Sequence, residues 1–230
     1  MKKIFVAVIS RNMPYWPMIS HFNLAAGYAA QHGIQVECYP HVGDSLVCRA
    51  RNECAAIFLN RGDSDYLFTL DDDVVIPHDT FKLLVDADKD MIGGMYLLKK
   101  DDPDEMWLSG RSVDEIDIMD LATKPTEEQI VPFKYLSTGC VLHKKQFVQE
   151  MWDHYSGTDI EYDFMNDANP TNDPTKRVGF YQPYVYKREY LSEDWAFCQR
   201  ALDKGYKLFG HAGVRCAHYG MKQYAFPKEK

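Results

Sequence analysis

Apolar residues recur along this chain in two periods, and the alternation between them predicts an α/β layer. Lys3 to Ser10 is almost wholly apolar, as a central parallel strand should be, and Ser10-Arg11-Asn12 stands at its carboxyl end. Pro14 and Pro17 keep the next residues out of a helix interior. His21 to His32 then reads as a helix closed by Gly33, and Ile34 to Tyr39 as a second strand. After Gly43-Asp44-Ser45, with Asp44 or Ser45 suited to an N-cap, the residues Val47, Ala50, Cys54, Ile57 and Phe58 form a helical stripe. Arg49, Arg51 and Asn52 lie off that stripe, on a solvated face or turned toward a site at the strand ends. Tyr66 to Leu70 is a short buried strand, Pro77 opens a helix to about Ala87, and Asp90 to Leu98 is strand again, interrupted by Gly93-Gly94.

The pattern weakens twice. Residues 99–132 are dense in Asp and Glu, are broken by Pro103 and Pro125, and suit a hairpin or a loop that contacts an acceptor. Tyr135 to Leu142 returns to strand character with a Thr138-Gly139 step inside it, and Gln146 to His154 is helical. Residues 156–190 are irregular but rich in Tyr and Phe, which fits either a lid or an ordered crossover packed on the core. Ser192 then caps a helix that ends at Gly205, with Trp195, Cys198, Gln199 and Leu202 on one face, and Tyr206 to Phe209 is a last short strand.

Length and composition narrow the class. At 230 residues and 46% hydrophobic the chain builds one sizeable globular domain, 1–230, with excursions at about 99–132 and 156–190. A formal net charge of −8 argues against a broad electrostatic grip on nucleic acid. No apolar run approaches the length of a membrane span, and Met1-Lys2-Lys3 with Ile4 to Ile9 is too short for a signal peptide. Six scattered cysteines without a C-x-x-C pair read as reduced thiols, so a cytoplasmic location is expected.

The sharpest chemistry is Asp71-Asp72-Asp73, directly after the strand Tyr66 to Leu70. Three adjacent carboxylates repel one another and need a partner if buried. An acidic turn on the surface is the plain reading. Ligands of open α/β sheets, however, bind beyond the carboxyl ends of strands, and in an extended chain Asp71 and Asp73 point to one side, toward one divalent ion.

Four segments in order give this cluster a context: Arg51-Asn52; Tyr66 to Asp73; Ser192-Glu193-Asp194-Trp195-Ala196-Phe197-Cys198 followed by Ala201 to Leu208; and Val214 to Gly220. Together they resemble the GT-A class of nucleotide-sugar-dependent glycosyltransferases, with its D-x-D strand end, its E-D-x-x-F-C block and its late histidine. The closest flavour is the small, family-2-like enzymes, many of them encoded by bacteriophages, which would place this one in the host cytoplasm. The resemblance implies a Rossmann-like GT-A domain with a mixed, mainly parallel central sheet flanked by helices.

It also implies roles. Asp71, Asp73 and His218 would hold Mn²⁺ or Mg²⁺ against the donor diphosphate, with His211 as the rival to His218. Asp71 would be shared between ion and ribose. Ser10, Arg11, Arg51, Asp71 and Asp72 would line the nucleotide-sugar site, for which uridine diphosphate sugars are the most frequent donors in the class. Asp194 would take the proton of the acceptor hydroxyl in an inverting transfer, with Glu193 orienting the acceptor. Ser10-Arg11-Asn12 departs from the common P-x-x-N form, so the base is not specified. The acceptor stays open between a glycan, a protein side chain and a modified base in phage DNA, as do the oligomeric state and inverting against retaining transfer. Two other classes remain in view. A nucleotidyltransferase would also use paired acids and a metal, though it usually carries a glycine-rich phosphate loop that Ser10 to Pro14 lacks. A non-catalytic nucleotide-sugar or glycan-binding module would keep the strand-end site without needing Asp194.

Overall fold

The computed structural model describes residues 1–11, 15–100, 107–164, 176–220 and 223–224. In chain order the main elements are β1 (Lys2–Ser10), α1 (Trp16–Gln31), β2 (Ile34–Val42), α2 (Val47–Arg61), β3 (Tyr66–Asp71), β4 (Val74–Val75), α3 (Thr80–Asp86), β5 (Met91–Met95), β6 (Gly110–Ser112) and α4 (Ile118–Ala122). There follow β7 (Ile130–Leu136), β8 (Cys140–Lys144), α5 (Lys145–Tyr155), β9 (Glu161–Asp163), β10 (Lys176–Val178), β11 (Tyr184–Tyr186), β12 (Glu189–Leu191), α6 (Glu193–Asp203), β13 (Leu208–Arg215), β14 (Ala217–Tyr219) and β15 (Gln223–Tyr224). Eight strands form one sheet in the order β2-β1-β3-β8-β5-β13-β7-β6. β8 and β7 run antiparallel to their neighbours and the other strands share one direction, so the sheet is mixed and mainly parallel, as the sequence predicts.

Side-chain alternation along β1 shows why both faces must be covered. Phe5, Ala7 and Ile9 join a core with α2, α5 and α6, whereas Ile4, Val6 and Val8 join a second core with α1 and α3. All six are buried. The reversed strand β8 has a functional consequence. It begins where the parallel strands β1 and β3 end, so the Thr138-Gly139 step before it lies at the same edge of the sheet as Ser10 and Asp71. Arg51 of α2 and Asp194 of α6 also come to this edge. A small sheet, β15-β14-β4, folds the late histidine segment back over the end of β3. Among the described residues no helix is long and apolar enough to cross a membrane.

Several local expectations are corrected. The first helix starts at Trp16, not His21, because Pro17 sits in its first turn, where a missing N–H costs nothing. Neither Asp44 nor Ser45 is the cap of α2. Leu46 is, while Asp44 accepts the Leu46 N–H at 2.8 Å and pairs with Arg49. Ser192 does occupy the N-cap of α6, but without a side-chain cap bond. The last core strand runs through Arg215, well beyond Phe209. The described parts of 156–190 follow the crossover reading: β9 pairs with β10, β11 pairs with β12, and Phe180 and Tyr181 are buried. The part of 99–132 at 101–106, and the part of the second excursion at 165–175, lie outside the described residues.

The glycine pair in β5 reflects close packing of neighbouring strands. A Cβ on Gly94 would stand 2.7 Å from Val214 Cγ1 and 2.8 Å from Cys140 Sγ, both on buried residues of flanking segments. Gly94→Ala is therefore expected to destabilise by about 1–3 kcal/mol, the usual cost of overpacking a tight core. Chemical denaturation checks this, and an unchanged midpoint would show that the strands part easily.

Candidate active site

β3 ends at Asp71, and Asp72 and Asp73 form the turn that leads into β4. The chain is therefore not extended through Asp73, and each of the three carboxylates has partners of its own. Asp71 faces Arg51, Asp72 accepts a hydrogen bond from the Ser10 hydroxyl, and Asp73 contacts Lys99 and His218.

Arg51 sits in the second turn of α2 and is 2% exposed, so it does not lie on a solvated helix face. Its Nη2 is 2.9 Å from Asp71 Oδ1 and donates to Oδ2 at 3.1 Å. The shorter contact lacks hydrogen-bond alignment, which leaves Oδ1 a buried acceptor without a hydrogen-bond donor. Nη1 donates to the Thr138 carbonyl at 3.3 Å, and Nη2 lies 3.7 Å from Asp194 Oδ1. Burial alone would depress the Arg51 pKa, but the Asp71 and Asp194 charges outweigh it and raise it. Asn52, beside it, is also buried, and its Oδ1 accepts the Tyr181 N–H at 3.0 Å, which anchors the second excursion over the site.

Asp194 is at the start of α6 with 18% of its side chain exposed. Thr138 Oγ1 donates to its Oδ1. Burial pushes its pKa up to about 6, with the Glu193 and Asp71 charges adding to the rise and Arg51 and Thr138 opposing it. Glu193 is partly exposed one residue earlier. Burial also raises Asp72, helped by Asp73 and Asp71 and opposed by the Ser10 bond. For Asp73 burial acts upward as well, but the hydrogen bonds from His218 and Lys99 bring the net shift below the ordinary carboxylate value.

His218 and Asp73 form the nearest approach to a metal pair. His218 Nε2 is 3.5 Å from Asp73 Oδ1, and Nδ1 donates to the Leu97 carbonyl at 3.0 Å. That bond holds the ring with Nε2 turned to the carboxylate, and a hydrogen bond from the other ring nitrogen is the usual support for a ligating histidine. Among the described residues no three His, Cys, Asp or Glu side chains are gathered to hold an ion. Two protein ligands suit Mg²⁺ or Mn²⁺, which are commonly held by one or two carboxylates and completed by substrate phosphates. His211, the rival, is fully buried in β13, where its Nδ1 accepts the Gly213 N–H at 3.2 Å. Arg11 is exposed just beyond Ser10.

Two contributors, Lys99 and Tyr96, have no signal in sequence spacing. Lys99 meets Asp73 from the first excursion. Tyr96, 3% exposed, accepts the Gly139 N–H at 3.1 Å and packs edge-on against His218 at 5.1 Å. Gly139 allows this approach, since a Cβ there would lie 2.6 Å from the Tyr96 hydroxyl and 2.7 Å from Asp71 Oδ2. The Thr138-Gly139 step, singled out in the sequence as a bulge or a substrate contact, is the point where backbone passes between two site side chains.

No protein-family model matches the chain, and no curated protein matches it. Among solved structures it is similar to A197 from STIV, with a TM-score of 0.54 and 15% identity over 100% of this chain and 96% of that one. That similarity extends to the fold. A glycosyltransferase involved in the glycosylation of the major capsid of PBCV-1 aligns with 67% of this chain and 68% of its own, at a TM-score of 0.32 and 12% identity.

Arg51→Met is expected to destabilise by about 3 kcal/mol, because it strands two carboxylates that now share one cation. Adding Asp71→Asn should recover part of that loss. Urea denaturation of the two single variants and the double gives the coupling, and strict additivity would remove the pairing account.

Proposed function

We propose that this chain is a metal-dependent glycosyltransferase that moves a sugar from a nucleotide-diphosphate sugar to an acceptor hydroxyl. The observation that carries the reading is Asp194: a largely buried carboxylate with a pKa raised to about 6, held 3.7 Å from the same guanidinium that grips the strand-end Asp71. A proton acceptor and a donor-binding carboxylate are thereby fixed in one site. The ordered motifs that resemble the GT-A class lead to the same assignment.

In this reading the nucleotide lies along the carboxyl ends of β1 and β3, against Ser10, Arg11, Asp71 and Asp72. Asp71 Oδ1, buried and without a donor, accepts a ribose hydroxyl or faces the ion. Asp73 and His218 would hold Mn²⁺ or Mg²⁺. A bound ion would neutralise charge on the departing nucleoside diphosphate as a Lewis acid. Asp194 Oδ1 is engaged by Thr138 and Arg51, so Oδ2 receives the proton as the acceptor oxygen attacks the anomeric carbon. That step inverts configuration. Glu193, one residue earlier on the same helix end, orients the acceptor. The donor is taken as a UDP-sugar.

Two experiments test this. Melting temperatures with nucleoside diphosphates and nucleotide sugars, each in Mn²⁺, Mg²⁺ or chelator, should rise for one nucleotide only when metal is present. The rise should vanish in Asp73→Ala. No shift with any nucleotide in any metal would overturn the donor site. For the base, transfer should fall about tenfold per pH unit below pH ~6, because Asp194 must be ionised to accept a proton. Asp194→Asn should lower turnover by about 10²–10⁴-fold. Its melting temperature should hold or rise, since burial opposes the charge that the substitution removes.

A further inference from the structure

Among the described residues Arg51 and Lys99 contact the Asp71-to-Asp73 cluster, and they differ in freedom. Arg51 is 2% exposed and fixed by Asp71, the Thr138 carbonyl and Asp194. Lys99 is 33% exposed, and among the described residues its ion pair is with Asp73. Its backbone is well placed nonetheless. The Leu98 N–H donates to the Trp107 carbonyl at 2.8 Å, the Ser109 N–H donates to the Tyr96 carbonyl at 2.8 Å, and the Leu97 carbonyl accepts the His218 Nδ1–H. The strap that carries Lys99 is thus the strap that orients His218. The two oxygens of Asp73 are divided between them: Oδ1 faces His218 Nε2 and Oδ2 faces Lys99 Nζ.

A divalent ion bound by Asp73 and His218 would meet an ammonium on the same carboxylate. Two cations sharing one anion repel, so binding of the ion weakens the hold on Lys99. A lysine on a flexible four-carbon stem moves readily to another anion, and the anion that arrives with the ion is a diphosphate. We propose that Lys99 is an exchangeable counter-ion. It neutralises Asp73 while the site is empty of donor, and it transfers to the donor diphosphate when metal and nucleotide bind together. Lys99 would then disfavour metal alone and favour metal with donor, so that neither is taken up productively without the other. This inference rests on the metal-dependent donor site proposed above.

The test measures Mn²⁺ binding by the full chain, from the loss of the free-ion electron paramagnetic resonance signal, with and without UDP. Lys99→Met keeps most of the stem and removes the charge. Without UDP it should bind Mn²⁺ about two- to fivefold more tightly than wild type, which is what a partly exposed ion pair is worth. With Mn²⁺ saturating, UDP should bind it more weakly than wild type. Lys99→Arg, which keeps a cation on the strap, should stay near wild type in the first measurement, and a merely structural role for Lys99 would not produce these opposite signs. Unchanged or weaker Mn²⁺ binding by Lys99→Met, alongside metal-dependent UDP binding by wild type, would overturn the exchange and leave the donor site standing. Absence of Mn²⁺ binding in wild type and variant, with UDP or without it, would overturn both.

Discussion

Placing a guanidinium at 2% exposure is unfavourable by several kcal/mol unless anions and carbonyls surround it. Arg51 meets that condition with Asp71 from β3, the Thr138 carbonyl from the turn before β8, and Asp194 from the start of α6. Each partner belongs to a different part of the chain, so the requirement to neutralise one buried charge fixes the relative positions of four elements. The same requirement separates the acids. Asp71 is held by Arg51, Asp73 contacts His218 and Lys99, and Asp194 sits close enough to feel the guanidinium while keeping a pKa of about 6. The site is therefore a set of carboxylates with distinct surroundings, and distinct surroundings are what assign different jobs to the same functional group.

Much of the layer is legible in the sequence. Long apolar runs such as Ile4 to Ile9 and Tyr66 to Leu70 carry their burial in their composition, and an alternation of strands and helical stripes leaves few architectures. What escapes is set by tertiary contact. Arg51 and Asn52 fall off the apolar stripe of α2, which leaves a solvated face and a site at the strand ends equally open, and it is β3, the turn before β8, and the Phe180-Tyr181 segment that bring the partners burying them. The side on which Asp73 points depends on where β3 stops, and no residue type at Asp71-Asp72-Asp73 announces that the ladder ends after the first of them. The choice of His218 over His211 comes from the resemblance, and the structure sets His218 beside Asp73. Lys99 and Tyr96 are invisible because their partners lie more than twenty residues away, in Asp73 and Gly139, and nothing local ties a lysine or a tyrosine to either.

Glycines mark the places where the site and the sheet are tightest. Gly139 lets backbone pass between the Tyr96 hydroxyl and the Asp71 carboxylate, and Gly94 lets β5 lie against Val214 and the Cys140 and Cys216 sulfurs. Rigidity around Asp71 therefore comes from missing side chains as much as from hydrogen bonds. The segment that carries Lys99 is built differently. It is tied through the backbone at Leu98 and Ser109, while the lysine itself reaches out on a long, partly exposed stem. A stiff acidic floor is thus met by a more adaptable cationic rim.

The strand order has a consequence for how the molecule is made. β13 lies between β5 and β7, in the middle of that half of the sheet, yet it is the last of the eight strands to be synthesised. Until Leu208–Arg215 leaves the ribosome, β5 lacks one partner and β7 faces a gap, each presenting an unpaired edge. The nascent chain thus carries a split sheet from the completion of β7 at Leu136 until β13 is made. Pairings such as Phe209 with Ile92, more than a hundred residues apart, make closure slow by loop entropy. Holding factors that shield strand edges would act in that interval, before β14 brings His218 to the completed sheet.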